Sequence, residues 1–156
     1  MFSNEAQELS EILVTNGLTI SVAESCTGGS LSHTITSVPG ASSYFDCGYI
    51  TYSNQSKTEM LGVDIQTIKT FGAVSEEVAL EMVIGLATRS HSDIAVSVTG
   101  VAGPTGGTPE KPVGTVCFGF SCDGKTSTST ELFSGDRTSI VSQSVSYALK
   151  QLSVRI

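Results

Sequence analysis

Residues 18–29, Leu-Thr-Ile-Ser-Val-Ala-Glu-Ser-Cys-Thr-Gly-Gly, restrict the folds open to this chain more than any other stretch. Thr19, Ile20, Val22 and Ala23 suit a short buried strand. With no spacer, the chain turns polar at Glu24, Ser25, Cys26 and Thr27. Gly28-Gly29 then removes side chains where a backbone must turn tightly or meet a ligand closely. A strand that ends abruptly and leads into a helix is the repeating unit of an open α/β sheet, in which ligands bind at the carboxyl ends of strands. A hydroxyl, a thiol and a carboxylate crowd that end and make it the first candidate site. A second buried strand, Asp93–Val98, runs just as directly into Thr99-Gly100-Val101-Ala102-Gly103-Pro104-Thr105-Gly106-Gly107.

The remaining chain alternates around these two strands. Residues 4–16 carry Ala6, Leu9, Ile12 and Leu13 at helical spacing, with Asn4 as a cap and Asn16-Gly17 as a stop. A helix is expected over 28–37, ended by Pro39-Gly40, and an aromatic, β-branched strand over 46–52. Short helices follow at Gln55–Leu61 and 65–70, and a longer one at 76–89, capped by Ser75 with Glu76 and Glu77 in its first turn. Val113–Ser121 and Thr126–Phe133 read as a hairpin turning at Asp123-Gly124. A last helix opens near Asp136-Arg137 and runs to about Ser153. This order predicts an α/β layered fold with some antiparallel pairing.

At 156 residues the chain is expected to form one domain over 1–156. A formal charge of −7 with no basic run argues against nucleic acid as a partner. No signal-peptide pattern is visible, and no stretch approaches the roughly 20 apolar residues that span a bilayer. The expectation is a cytoplasmic protein with no membrane contact. Cys26, Cys47, Cys117 and Cys122 form no Cys-x-x-Cys pair, and only His33 and His91 could add imidazoles, so no metal site is expected.

Ser25 sits where a nucleophile would. A serine hydroxyl needs a base to take its proton, and the N–H groups of Cys26 and Thr27 lie where a developing oxyanion would be held. The alternative is that Ser25 only caps the following helix. Neither histidine has an evident orienting carboxylate, which disfavours a Ser-His-Asp site. With histidine disfavoured, a lysine is the candidate base. Lys57 stands out, five residues after Tyr52 and just past a strand end, although a lone helix lysine is ordinarily exposed. Cys26 is the rival nucleophile, since a thiolate near a helix N-terminus is favoured. The loop 99–107 has hydroxyls and glycines suited to an anion, yet matches neither a Walker A nor a Gly-x-Gly-x-x-Gly pattern. Arg137 is placed to meet a phosphate or carboxylate, or simply solvent.

Six segments, in order, carry a resemblance: Val22–Gly29, Gly48–Asn54 with Lys57, Phe71–Ser75, Thr99–Pro104, Lys111–Val116 and Phe133–Arg137. Together they resemble the CinA C-terminal domain family, the nicotinamide-nucleotide amidohydrolases. The resemblance implies metal-free and cofactor-free hydrolysis of the carboxamide of nicotinamide mononucleotide to nicotinate mononucleotide and ammonia. By position it implies Ser25 as nucleophile, Lys57 as base and Tyr52 as helper. It places Ser42, Thr99 and Gly100 at the site with Cys26, Thr27, Gly28 and Gly29, the glycines admitting a flat amide, and Arg137 on the phosphate. It also implies a three-layer α/β/α sandwich with a mixed, mainly parallel sheet, usually in a homo-oligomer. The other reading is a non-catalytic nucleotide-binding or competence-related module on the same fold. Intact Ser25, Tyr52 and Lys57 favour the enzyme.

Overall fold

A computed structural model describes residues 3–156; Met1 and Phe2 of the expected domain lie outside the described residues. Five strands form one sheet: β1 (Ile20–Glu24), β2 (Phe45–Ile50), β3 (Ile94–Gly100), β4 (Thr115–Cys122) and β5 (Lys125–Leu132). Their spatial order is β2-β1-β3-β4-β5. The sheet is mixed, with β1 parallel to both β2 and β3, and β4 antiparallel to β3 and β5. The parallel character is therefore confined to the half that carries residues 20–24, and the hairpin makes the other half antiparallel. Asp123 and Gly124 both take positive φ in that hairpin turn, the geometry a two-residue connection requires.

Helices cover both faces. On one side lie α1 (Asn4–Asn16), α2 (Ser30–Thr36) and, at the end of the chain, a helix over Arg137–Arg155. On the other lie α3 (Asn54–Leu61), α4 (Ile65–Phe71) and α5 (Glu76–Arg89), which makes the C-terminal helix α6. Leu9, Leu13, Val22, Val96, Phe118 and Leu149 belong to the core on the first side. Leu61, Val78, Met82 and Leu86 pack with Ala23 and Ala95 on the second. The small residues there are purposeful. A Cβ on Gly119 would lie 2.5 Å from Ala79 O, and Ser97 Oγ donates to that same carbonyl at 2.6 Å. Helix α5 therefore rests its backbone almost directly on the sheet.

Local signals explain most boundaries, with two corrections. Ser3, not Asn4, caps α1, its hydroxyl accepting from the Ala6 N–H. Helix α2 begins at Ser30 rather than 28, because Gly28 and Gly29 take positive φ and hold residues 26–29 in turns. Ser53, Ser75 and Asp136 cap α3, α5 and α6 by accepting N–H groups. Among the described residues, no helix is long and apolar enough to cross a membrane.

Helix α3 is held by one close approach. A Cβ on Gly85 of α5 would lie 1.8 Å from Leu61 O, at the end of α3. Gly85→Ala is expected to push the two helices apart and lower stability by about 2–3 kcal/mol, read as a drop in the denaturant midpoint with an unchanged slope.

Candidate functional site

Strand alternation sorts the two residues at the end of β1. Ile20, Val22 and Glu24 face one helical layer, while Ser21, Ala23 and Ser25 face the other. Ser25 lies just beyond the strand, yet its N–H still donates to Val98 O at 2.9 Å and keeps it in the ladder. Glu24 thus turns toward α2 and Ser25 toward α3. The Thr51 N–H donates to Glu24 O at 2.8 Å, extending the β1–β2 pairing to the turn that leads into α3.

Lys57 rises from the first turn of α3 and is 1% exposed. Its amine lies 2.9 Å from Ser25 Oγ, 2.8 Å from Thr51 O and 3.4 Å from Tyr52 O. Burial pulls its pKa down to about 8, with the nearby Cys26 sulfur acting in the opposite sense. A neutral amine has two N–H donors and one lone pair. As an ammonium Lys57 donates to both carbonyls and to Ser25 Oγ; once neutral, it keeps two donors for the carbonyls and has its lone pair for the Ser25 hydroxyl.

The neighbouring thiol is in the opposite condition. Burial pushes Cys26 up to about 12, the Glu24 carboxylate adds to this, and its own backbone hydrogen bond, Lys57 and Arg137 offset it only in part. Cys26 is therefore a buried thiol, not a thiolate. Its main chain is available as well as its sulfur: among the described residues, neither the Cys26 N–H nor the Thr27 N–H donates to another residue. The Thr27 hydroxyl is likewise buried without a partner there.

Ser25, Cys26, Tyr52, Lys57, Thr99, Gly100 and Arg137 all line one cleft of about 290 Å³. Several of the roles expected for them change. The Tyr52 side chain is 56% exposed, and its hydroxyl accepts from Arg137 at 2.8 Å; its carbonyl, rather than its ring, meets Lys57. The second arm of Arg137 donates to Gly103 O at 2.7 Å. Thr99 Oγ1 donates to Ala73 O at 2.9 Å, which ties β3 to the loop before α5. Gly100 is needed because a Cβ would lie 2.9 Å from Thr115 O.

Four expected site residues do not line this cleft, the first being Thr27, which is buried in the turn after Ser25. Ser42 is exposed in the 3-10 turn Ala41–Ser43, at the opposite end of β2 from Tyr52. Gly28 and Gly29 face a larger groove of about 790 Å³ between α1, α2 and α6, behind the Ser25 turn. Ala73, Val74, Val101, Ala102 and Gly106 also line the cleft without being expected individually, and Thr105 joins them as a hydroxyl of the loop expected to suit an anion. Their segments were visible as the Phe71–Ser75 motif and the Gly-rich loop. Among the described residues, no group of three His, Cys, Asp or Glu side chains could hold a metal.

The family described as CinA C-terminal domain matches residues 3–156. The chain is similar to nicotinamide-nucleotide amidohydrolase PncC of Escherichia coli (strain K12), at 46% identity over 97% of this chain and 95% of that protein. It is similar to a CinA-like protein of Chlorobium limicola at 55% identity, over 74% of this chain and 27% of that one. Among solved structures it is similar to the competence/damage inducible protein CihA from Agrobacterium tumefaciens. The TM-score there is 0.92 and the identity 40%, over 99% of this chain and 97% of that one.

Two titrations follow from this geometry. NMR of the Lys57 side chain should give a midpoint near 8 instead of the free-lysine value near 10.4. Between those values the unfolded chain holds the extra proton, so Lys57 contributes stability that grows as pH climbs from 8 toward 10, while the buried thiols, Cys26 foremost, subtract from it above about 8.5 as they ionise in the unfolded chain; Lys57→Met should remove only the growing contribution. Alkylation of the native protein at pH 8 should leave Cys26 unmodified, as mass spectrometry of the digested product would show.

Proposed function

The chain belongs to the CinA C-terminal domain family, and on that premise we propose that it hydrolyses the carboxamide of nicotinamide mononucleotide by a serine nucleophile with a lysine base. The observation that supports this reading best is the buried contact of 2.9 Å between Lys57 Nζ and Ser25 Oγ. It joins a hydroxyl to an amine whose pKa of about 8 leaves part of it neutral near neutrality.

In this mechanism Ser25 Oγ attacks the carboxamide carbon while its proton passes to Lys57 Nζ. The carbonyl oxygen becomes an anion and receives the free N–H groups of Cys26 and Thr27. Such donors contribute about 3–4 kcal/mol each to a developing oxyanion. The Lys57 ammonium then returns its proton to the amide nitrogen, the C–N bond breaks, and ammonia leaves an ester on Ser25. Water adds to that ester, gives its proton to Lys57, and releases nicotinate mononucleotide with the serine restored. The substrate's pyridinium charge disfavours a second cation beside it, which keeps the Lys57 lone pair available. Arg137 uses two of its five N–H donors on neutral oxygens, Gly103 O and Tyr52 Oη, and has others free for a phosphate.

Purified protein should release ammonia from nicotinamide mononucleotide. Ser25→Ala and Lys57→Ala should each lower kcat by about 1,000-fold or more, and Cys26→Ser should keep most of the activity. kcat/KM should rise with pH and level off above about 8, since only neutral Lys57 accepts the proton. Wild type and both variants equally inert, with the nucleotide still bound, would reject catalysis in favour of a binding module.

A further inference from the structure

Glu24 is a wholly buried carboxylate that the mechanism above leaves unused. It meets no cation. One oxygen accepts from the N–H groups of Gly29 at 3.2 Å and Leu31 at 2.8 Å; the other accepts from the Ser32 N–H at 2.9 Å and the Ser32 hydroxyl at 2.6 Å. The four bonds bracket residues 25–28 between the end of β1 and the first turn of α2. The same residue's carbonyl accepts the Thr51 N–H, and the Thr51 carbonyl in turn accepts from Lys57. Glu24 is therefore next to Ser25 in the chain and linked to Lys57 through Thr51 by main-chain bonds, while its carboxylate fixes the far end of the turn.

We infer that Glu24 is the positioning residue of this site, holding the 25–29 turn so that Ser25 Oγ stays on Lys57 and the Cys26 and Thr27 N–H groups stay unpaired. The carboxylate occupies the N–H groups that open α2. An anion forming on the substrate is thereby left to the two N–H groups beside the nucleophile. Ser32 is the second member of the device, and Gly48 of β2 is the third: a Cβ there would lie 2.7 Å from Ser32 Oγ. Glycine at 48 is what lets the Ser32 hydroxyl reach Glu24. The inference rests on the amidohydrolase reading for its kinetic consequence, but its geometry stands without it.

The test compares Glu24→Gln, Ser32→Ala and Gly48→Ala with the wild type at a temperature well below each melting point. Glu24→Gln should lower kcat by about 100-fold, as expected for a nucleophile displaced by about 1 Å, with KM within a few-fold. Ser32→Ala and Gly48→Ala, which remove or displace one of four bonds, should lower kcat by roughly 10-fold in the same pattern. The Lys57 titration midpoint should move upward from about 8 in all three as water reaches the loosened amine. Should Glu24→Gln fail to fold, the other two variants decide. Variants that melt earlier yet keep the wild-type kcat and the wild-type Lys57 midpoint would overturn the inference. A wild type that releases no ammonia would reject the amidohydrolase reading alone, and the Lys57 midpoint would then decide the role of Glu24.

Discussion

A lysine amine withdrawn from water and bonded to two carbonyls and a serine hydroxyl is the contact on which the site depends. In water the same amine would be almost wholly protonated at neutral pH and useless as a base. Burial lowers its pKa to about 8, as the proposed role of a base requires, and burial is the work of the second helical layer. Helix α3 can bring Lys57 under β1 only because α5 lies close against the sheet over Ala23, Ala95, Ser97 and Gly119. Gly85 then lets α3 touch α5 backbone to backbone. Small residues distant in sequence thus set the ionisation of one amine.

The pleat of β1 separates two tasks that the sequence packs together. Adjacent residues of a strand point to opposite faces, so Glu24 serves the α2 layer and Ser25 the α3 layer. The carboxylate organises the backbone from behind while the hydroxyl faces the cleft. Across the cleft mouth, Arg137 joins α6 to the loop after β3 and to Tyr52, so the first and last thirds of the chain meet over one small volume.

Much of this was legible in the sequence. The α/β order, the hairpin turn and the Ser53, Ser75 and Asp136 caps follow from local chemistry that the structure repeats. Ser25 and Lys57 were marked as a pair, but nothing local distinguishes a buried lysine from a solvated one on a short polar helix. Its burial comes from packing of α3, which Gln55–Leu61 alone does not encode. Tyr52 is expected as a helper of Lys57; what meets the amine is its carbonyl, and main-chain roles leave no mark on residue type. Gly28 and Gly29 looked like room for a ligand, yet they serve the backbone turn and face the opposite groove. Glu24 seemed part of a reactive cluster, and the alternation of β1 held the information to place it elsewhere. Ser42 lies at the wrong end of β2 for this cleft, a matter of register that residue type does not report.

On the proposed mechanism the nucleophile is Ser25, at the start of the β1–β2 crossover, and the base is Lys57, in the β2–β3 crossover. Most of the remaining cleft wall comes from the segment 99–106 and from Arg137, after β3. On that mechanism, reactivity and recognition are written in separate parts of the chain. Exchanges in the later segment can reshape what the cleft accepts without disturbing the proton transfer, so a lineage built on this fold can change its ligand while keeping its chemistry.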